Sequence, residues 1–255
     1  MLKERRHAQI LGQLRVSTVA SIKELSDRVD ASGSTVRRDL RDLSERGLVK
    51  LTHGGAVLTE SYFASFELDS NLAAEVETGA KAAIGAFAAA QILPRQTVIF
   101  DSSTTVLAAA RELVKSQIEL IAITNSLQIA EILAASRAIS VIVVGGTIRW
   151  GSPTLFGNPG LSFLGELHAD VLLLGTHSIS GGLLTETSQE LVAMKRAMID
   201  AARRTVLLAD NTKFRPPALF TICSTGEVDE LITNADANDE ALSVVRDTGV
   251  VVHNV

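Results

Sequence analysis

The chain has 255 residues, 46% hydrophobic but only 4% aromatic, enough for one small and one larger domain with cores of Ala, Val, Leu and Ile. A lone cysteine, Cys223, excludes an intramolecular disulfide and fits a reducing, cytoplasmic setting. The N-terminus lacks an apolar signal segment, and no uncharged apolar run approaches the roughly 20 residues of a membrane span, so a soluble protein with no membrane partner is expected.

The net charge of −5 is unevenly placed. Residues 1–58 hold 11 Lys and Arg against 7 Asp and Glu, a net of +4; the remainder holds 13 against 22, a net of −9. A basic segment on an acidic body suits a chain that touches phosphate at one end, although ordinary charge scatter produces such values too.

Three short helices open the chain. Ile10, Leu11 and Leu14 share a face over Lys3–Arg15, and Ile22, Leu25 and Val29 over Ser21–Val29. After the break Asp30-Ala31-Ser32-Gly33, a third runs to Arg46 with Val36, Leu40 and Leu43 on one face, and Gly47 stops it. Leu48–Leu51 and Ala56–Leu58 read as strands around a glycine turn. Residues 59–79 read as a partly helical linker. From residue 80 helices and strands alternate. The helices are Ala80–Leu93, Thr104–Val114, Leu127–Ala135, Gln189–Ala202 and Glu240–Asp247. The strands are Thr97–Phe100, Glu119–Ile123, Ser140–Val144, Val171–Leu174, Thr205–Leu208 and Glu230–Ile232. Strands apolar on both faces and joined by helices predict an open, parallel α/β sheet.

The second and third helices have the dimensions of a helix-turn-helix. Ser32 is a fitting N-cap, and Ser34, Arg37, Arg38 and Arg41 fall on the face opposite the apolar one. Arginine forks onto guanine O6 and N7, and short hydroxyls such as those of Ser34 and Thr35 reach bases or phosphates. A competing reading pairs these arginines with Asp39, Asp42 and Glu45 on a merely solvated face. The glycine hairpin would be a wing, with Lys50 and His53 towards the DNA backbone; for His53 a plain covering hairpin explains the residue equally well.

In the body, polar loops follow apolar strands, where open α/β sheets bind ligands. These are Asp101-Ser102-Ser103-Thr104-Thr105, Thr124-Asn125-Ser126, and Gly145-Gly146-Thr147 with Arg149 behind. Singly they read as caps and turns; together they suggest a pocket for a phosphorylated small molecule. Lys195 on its helix, and Asp210 and Lys213 after a strand, are further candidates. The bland readings are a solvated lysine and a surface turn.

The stretch SIKELSDRVDASGSTVRRDLRDLSERGLVKLTHGGAV resembles the N-terminal signature of the DeoR family of bacterial sugar-metabolism regulators. The resemblance extends over nearly the whole chain. It implies a winged helix-turn-helix at 1–58, a linker at 59–79 and an effector domain at 80–255. That domain is expected to be similar to the ribose-phosphate isomerase and CoA-transferase fold. It also implies a repressor of a carbohydrate operon whose partners are double-stranded operator DNA and a phosphorylated sugar, acting as a dimer or tetramer. The family's D-S-x-T-T pattern matches Asp101, Ser102, Thr104 and Thr105; T-N-S matches Thr124, Asn125 and Ser126; G-G-x-x-R matches Gly145, Gly146 and Arg149. Gly181, Gly182 and Leu183 match a further loop loosely, Lys195–Met198 match the K-R-A-M helix, and Asp210 and Lys213 match a D-x-x-K turn. The chain departs from the family at Ser103, where glycine is usual, and in the loop Gly175-Thr176-His177-Ser178-Ile179. A side chain at 103 would either narrow the phosphate cradle or change the backbone angle. His177 reads equally as a ligand contact or a loop histidine.

The alternative is a sugar-phosphate isomerase-like enzyme with a fused DNA-binding module, using Asp101, Glu186, Glu190 or Asp210 as acid or base. The DNA-binding module argues against it, and no catalytic residue or cofactor is expected. His7, His53, His168, His177 and His253 are scattered and Cys223 has no cysteine partner, so no metal is expected either.

Overall fold

The computed structural model describes residues 3–17, 19–59, 77–148, 152–236 and 240–255. The chain divides into two compact units, Met1–Val76 and Glu77–Val255. Most of the expected linker lies outside the described residues.

The first unit contains α1 (Lys3–Ser17), β1 (Val19–Ser21), α2 (Ile22–Val29), α3 (Gly33–Glu45), β2 (Val49–Thr52) and β3 (Gly55–Leu58). Ile10, Leu11 and Leu14 of α1 meet Leu25 and Val29 of α2, and Val36, Leu40 and Leu43 of α3, in one core closed by Val49, Ala56 and Leu58. Ser21 starts α2 with a capping box: its hydroxyl accepts from the Glu24 N–H, while the Glu24 carboxylate accepts from the Ser21 N–H at 2.7 Å. The wing has a third strand that the sequence pattern did not suggest, β1, in the antiparallel order β1-β3-β2. Gly55 is required where β1 meets β3, since a Cβ there would stand 1.9 Å from the Ala20 carbonyl oxygen.

The second unit is built on seven parallel strands in the order β15-β14-β12-β9-β4-β5-β6. These are β4 (Thr97–Phe100), β5 (Leu120–Thr124), β6 (Ile139–Val143), β9 (Ala169–Leu174), β12 (Ala202–Leu208), β14 (Glu230–Thr233) and β15 (Val251–Asn254). Alternate residues point to opposite faces. Val98, Phe100, Val171, Leu173, Val206 and Leu208 pack under α4 (Thr78–Ala90), α5 (Thr104–Ser116) and α6 (Leu127–Ala134). Ile99, Ile123, Leu172, Leu174 and Leu207 pack under α8 (Gln189–Asp200) and α9 (Glu240–Asp247). A second, antiparallel sheet of β10 (Ser178–Ser180), β11 (Leu183–Glu186) and β13 (Phe220–Ser224) joins that face. A short pair, β7 (Thr147–Ile148) and β8 (Leu155–Phe156), the short helix α7 (Gly160–Leu164) and two 3-10 turns, Asn211–Lys213 and Thr225–Glu227, complete the described elements.

Successive strands run outward from β4 through β5 to β6, and in the other direction from β9 to β12 and β14. The switch point therefore lies between the carboxyl ends of β4 and β9, where a doubly wound sheet opens a crevice. Asp101 follows β4 there and Gly175 follows β9.

Candidate functional site

On the first unit, α3 presents the expected surface. Ser32 caps the helix in extended conformation; its hydroxyl accepts from the Thr35 N–H at 3.3 Å and lies 2.9 Å from both the Ser34 and Thr35 hydroxyls. Ser34, Arg37, Arg38 and Arg41 are exposed, and Thr35 is half-buried. Lys50 on β2 and His53 in the two-residue wing turn are exposed as well.

The acidic neighbours of those arginines are engaged elsewhere. Asp39 is 1% exposed and faces inward. Arg6 of α1 forks onto it, Nε at 2.5 Å and Nη2 at 2.9 Å, and His7 Nε2 lies 3.1 Å from Oδ1. Lys3 of α1 pairs with Asp42 at 2.5 Å. Among the described residues, Arg37, Arg38 and Arg41 make no ion pair. The solvated-face reading therefore lacks the partners it named in Asp39 and Asp42. Burial pushes the Asp39 carboxyl up, but the Arg6 guanidinium and His7 hold it below its ordinary value. Burial also outweighs the pull of Asp39 on His7 and lowers its pKa, so a neutral imidazole donates to the carboxylate while Arg6 supplies the counter-charge.

At the switch point of the second unit, Lys195 of α8 is 4% exposed. Its Nζ donates to Asp101 Oδ2 at 2.6 Å and to the Gly175 carbonyl at 2.8 Å, with Glu186 Oε2 3.6 Å away. The Gly175 N–H donates to Asp101 Oδ2 at 3.0 Å. Lys195 is thus a buried, paired group and not a solvated helix lysine. Ser103 resolves the two alternatives posed by its side chain. Its backbone is ordinary, φ −73° and ψ 153°, and it caps α5 by accepting from the Val106 N–H. The side chain occupies space instead: a Cβ on Gly175 would fall 2.2 Å from its Cβ and Oγ. Ser102 and Thr104 are half-buried beside it, and Thr105 is buried.

The remaining loops are strongly structural. The Thr124 hydroxyl donates to the Phe100 carbonyl and accepts from the Ser126 N–H; Asn125 Nδ2 donates to the Leu155 carbonyl; Ser126 caps α6. All three are buried beneath residues 153–155, which bond to Asn125 and Leu127. Gly145 and Gly146 have φ of +75° and +124°, and a Cβ on Gly146 would stand 2.5 Å from the Phe156 carbonyl oxygen, so both glycines have backbone reasons. Arg149 lies outside the described residues. Gly181 and Gly182 form the turn between β10 and β11, with φ of +56° and +76°. The His177 carbonyl accepts from Arg215 Nη2 at 2.6 Å.

Asp210 is fully buried, which overturns the surface-turn reading. It caps the 3-10 turn Asn211–Lys213, and its Oδ2 lies 3.6 Å from Nζ of Lys81, a 4% exposed lysine on α4. The sequence reading missed Lys81 because a lysine in an alanine-rich helix gives no local sign of burial. It also passed over Glu186 as a partner of Lys195, since that contact joins β11 to α8. A groove of about 620 Å³ lined by Arg95, Glu119 and Arg137 opens at the amino ends of β5 and β6, and shares no residue with the candidate loops.

Among the described residues no helix is long and apolar enough to cross a membrane. Residues 6–62 match a family described as the DeoR-like helix-turn-helix domain, and residues 76–235 match the DeoR C terminal sensor domain. The chain is 32% identical to the HTH-type transcriptional regulator GlpR of Haloferax volcanii, over 99% of this chain and 98% of that protein. It is 30% identical to the glycerol-3-phosphate regulon repressor of Escherichia coli, over 97% of each. A ribose 5-phosphate isomerase A from Methanocaldococcus jannaschii is similar at 15% identity with a TM-score of 0.39, covering 52% of this chain and 53% of that one.

Proposed function

The chain belongs to the DeoR family of transcriptional regulators, which are not enzymes, and from that premise we propose that it represses a carbohydrate-utilisation operon and releases the operator when a phosphorylated sugar binds its sensor domain. The observation that carries the DNA-binding half is the freedom of the α3 arginines from ion pairs, with Asp39 and Asp42 tied to α1 instead. Arg37, Arg38 and Arg41, with Ser34, then read base edges, while Lys50 and His53 of the wing contact the phosphate backbone. A dimer or higher oligomer matches two operator half-sites.

The sensing half is supported by the cluster at the switch point. Asp101, Lys195 and Glu186 offer donors and acceptors to sugar hydroxyls, with Ser102, Ser103, Thr104 and Thr105 at the start of α5 beside them. The name of one relative fits: it is a glycerol-3-phosphate regulon repressor. A ligand that weakens operator binding tenfold must prefer the released state by about 1.4 kcal/mol.

The test is a titration of the full chain on duplexes taken from upstream of its own gene and of the genes beside it, with and without sugar phosphates. Saturable binding that at least one phosphorylated sugar reverses is expected. Binding that no sugar phosphate alters would remove the sensing half of the proposal.

A further inference from the structure

Asn125 has a structural donor and an unused acceptor. It is 1% exposed and follows β5 at its carboxyl end. Its Nδ2 donates to the Leu155 carbonyl at 3.1 Å, and its backbone carbonyl accepts from the Leu155 N–H at 2.7 Å. Its Oδ1 is buried and accepts no hydrogen bond among the described residues. Turning the amide over gives nothing better, because Oδ1 would then face the Leu155 carbonyl oxygen and an N–H would be left over. The clamp on β8 needs only the donor. A buried acceptor left without a partner is destabilising, so this one suits a donor that comes from outside the chain.

The sheet register sets Asp101 beside it. Phe100 of β4 pairs with Thr124 of β5, so Asp101 and Asn125 are neighbours one residue further on, with backbones roughly 5 Å apart. Both side chains are on the α8 side of the sheet. Asp101 bonds to Lys195 of α8, and Asn125 bonds to β8, which lies against α8. Asp101 also has an oxygen to spare. The bonds from Lys195 and from the Gly175 N–H both fall on Oδ2, and among the described residues Oδ1 accepts none.

The β9 side of Asp101 is closed. There the Ser103 side chain fills the space above Gly175, where a Cβ would fall 2.2 Å from it. A group that bridges from Asp101 therefore extends over β5, towards Asn125. Two acceptors facing one space attract hydrogen-bond donors and disfavour a phosphate, whose oxygens are acceptors themselves. Two hydroxyls on neighbouring carbons, each adding one hydrogen bond of about 2.8 Å, span the gap between them.

We propose that Asn125 is a specificity-determining residue of the sensor, its Oδ1 and Asp101 Oδ1 receiving two adjacent hydroxyls of the effector. This rests on the sensor reading given above and names the chemistry selected: a vicinal diol, on a compound whose phosphate lies away from these two oxygens. The clamp on β8 makes the selection rigid. With Nδ2 and the backbone carbonyl both held by Leu155, the amide cannot turn to offer an N–H instead. A compound missing one hydroxyl leaves a buried acceptor unpaired, the condition under which a polar site discriminates most sharply.

The test is calorimetric titration of the full chain with ribose 5-phosphate, glucose 6-phosphate, fructose 6-phosphate and glycerol 3-phosphate. Each compound that binds is followed by its analogues lacking one hydroxyl at a time. In wild type, loss of either of two adjacent hydroxyls should weaken binding about tenfold or more. Asn125→Leu removes the acceptor, so loss of one of those hydroxyls should then have no further effect while loss of the other still weakens binding. Asn125→Asp keeps an oxygen in place of Oδ1 but gives up the Nδ2 donor, and should retain the two-hydroxyl pattern at a lower Tm. If Asn125→Leu weakens every analogue by the same factor and leaves both hydroxyl effects intact, Asn125 is only a clamp, and the inference is overturned while the sensor reading stands. A wild type that binds a phosphorylated compound and tolerates the loss of every hydroxyl overturns it too, with no variant needed. If no phosphorylated compound binds wild type, the sensor reading falls and takes the inference with it.

Discussion

Replacing Gly175 by alanine places a methyl group where Ser103 already stands. The new Cβ would lie 2.2 Å from Ser103 Cβ and Oγ and 3.3 Å from Asp101 Oδ2. The backbone cannot move away freely, because the Gly175 N–H is bonded to Asp101 and its carbonyl to Lys195. Overpacking of this kind costs about 1–3 kcal/mol, and the pinned backbone puts Gly175→Ala at the upper end. For a domain of this size that is a fall in Tm of roughly 6–12 °C, readable by scanning calorimetry of the sensor transition. The companion change Ser103→Gly removes both clashing atoms, and glycine at an N-cap costs only a few tenths of a kcal/mol relative to serine. The double variant should therefore recover most of the loss, with a coupling of about 2 kcal/mol. A Gly175→Ala protein that melts with wild type, or a double variant no better than the single one, would refute the packing described for the crevice.

Asp39→Asn leaves the Arg6 guanidinium without its carboxylate, and should destabilise the DNA-binding unit by about 3 kcal/mol in urea unfolding followed by circular dichroism; a change under about 0.5 kcal/mol would argue against the α1–α3 lock. The same lock gives a pH dependence. His7 and Asp39 both have lowered folded pKa values, so the unfolded chain binds more protons and stability rises with pH and is lost as pH falls. The His7 contribution is complete above 6.5 and is lost as pH falls from there through its lower folded value; that of Asp39 is lost below 3.8. Melting of His7→Gln across pH 7 to 5 should be flatter than wild type, and parallel curves would count against it. Cys223 is buried, with its thiol pushed up to about 12 first by burial and then by Glu227, so iodoacetamide should leave it unmodified in the native chain at pH 8; rapid alkylation would contradict its placement in β13.

Much of the fold was legible because its signals are local. The apolar faces of α1, α2 and α3 and the doubly apolar strands β4, β5, β9 and β12 follow from side-chain period alone. The short strands β1, β10 and β11 were not, since three or four residues such as Ser178–Ser180 carry no usable period and owe their form to the strand beside them. Strand ends drifted for a related reason: β12 begins at Ala202, inside the expected helix, because its first residues pair with β9.

The site divides along the same line. Ser32, Ser34, Arg37, Arg38 and Arg41 announce themselves by spacing on one helix. What frees the arginines does not, because Arg6 and Asp39 are 33 residues apart. In the sensor, Asp101 and Lys195 were each visible but their contact, 94 residues apart in sequence, was not. Lys81 gave no signal at all. Its partner Asp210 comes from across the fold, 129 positions on in the sequence, with Oδ2 3.6 Å from its Nζ.

The central claim is that the α3 face reads operator sequence. Fluorescence anisotropy of wild type and Arg38→Ala on a cognate duplex and a scrambled one, from 50 to 200 mM salt, tests it most directly. Wild type should bind both duplexes more weakly as salt rises and prefer the cognate one. Arg38→Ala should lose about 1–3 kcal/mol on the cognate duplex and little on the scrambled one, relaxing the preference roughly 5- to 150-fold. Wild type that binds no duplex at 50 mM salt, or a variant with unchanged affinity and preference, would contradict the account.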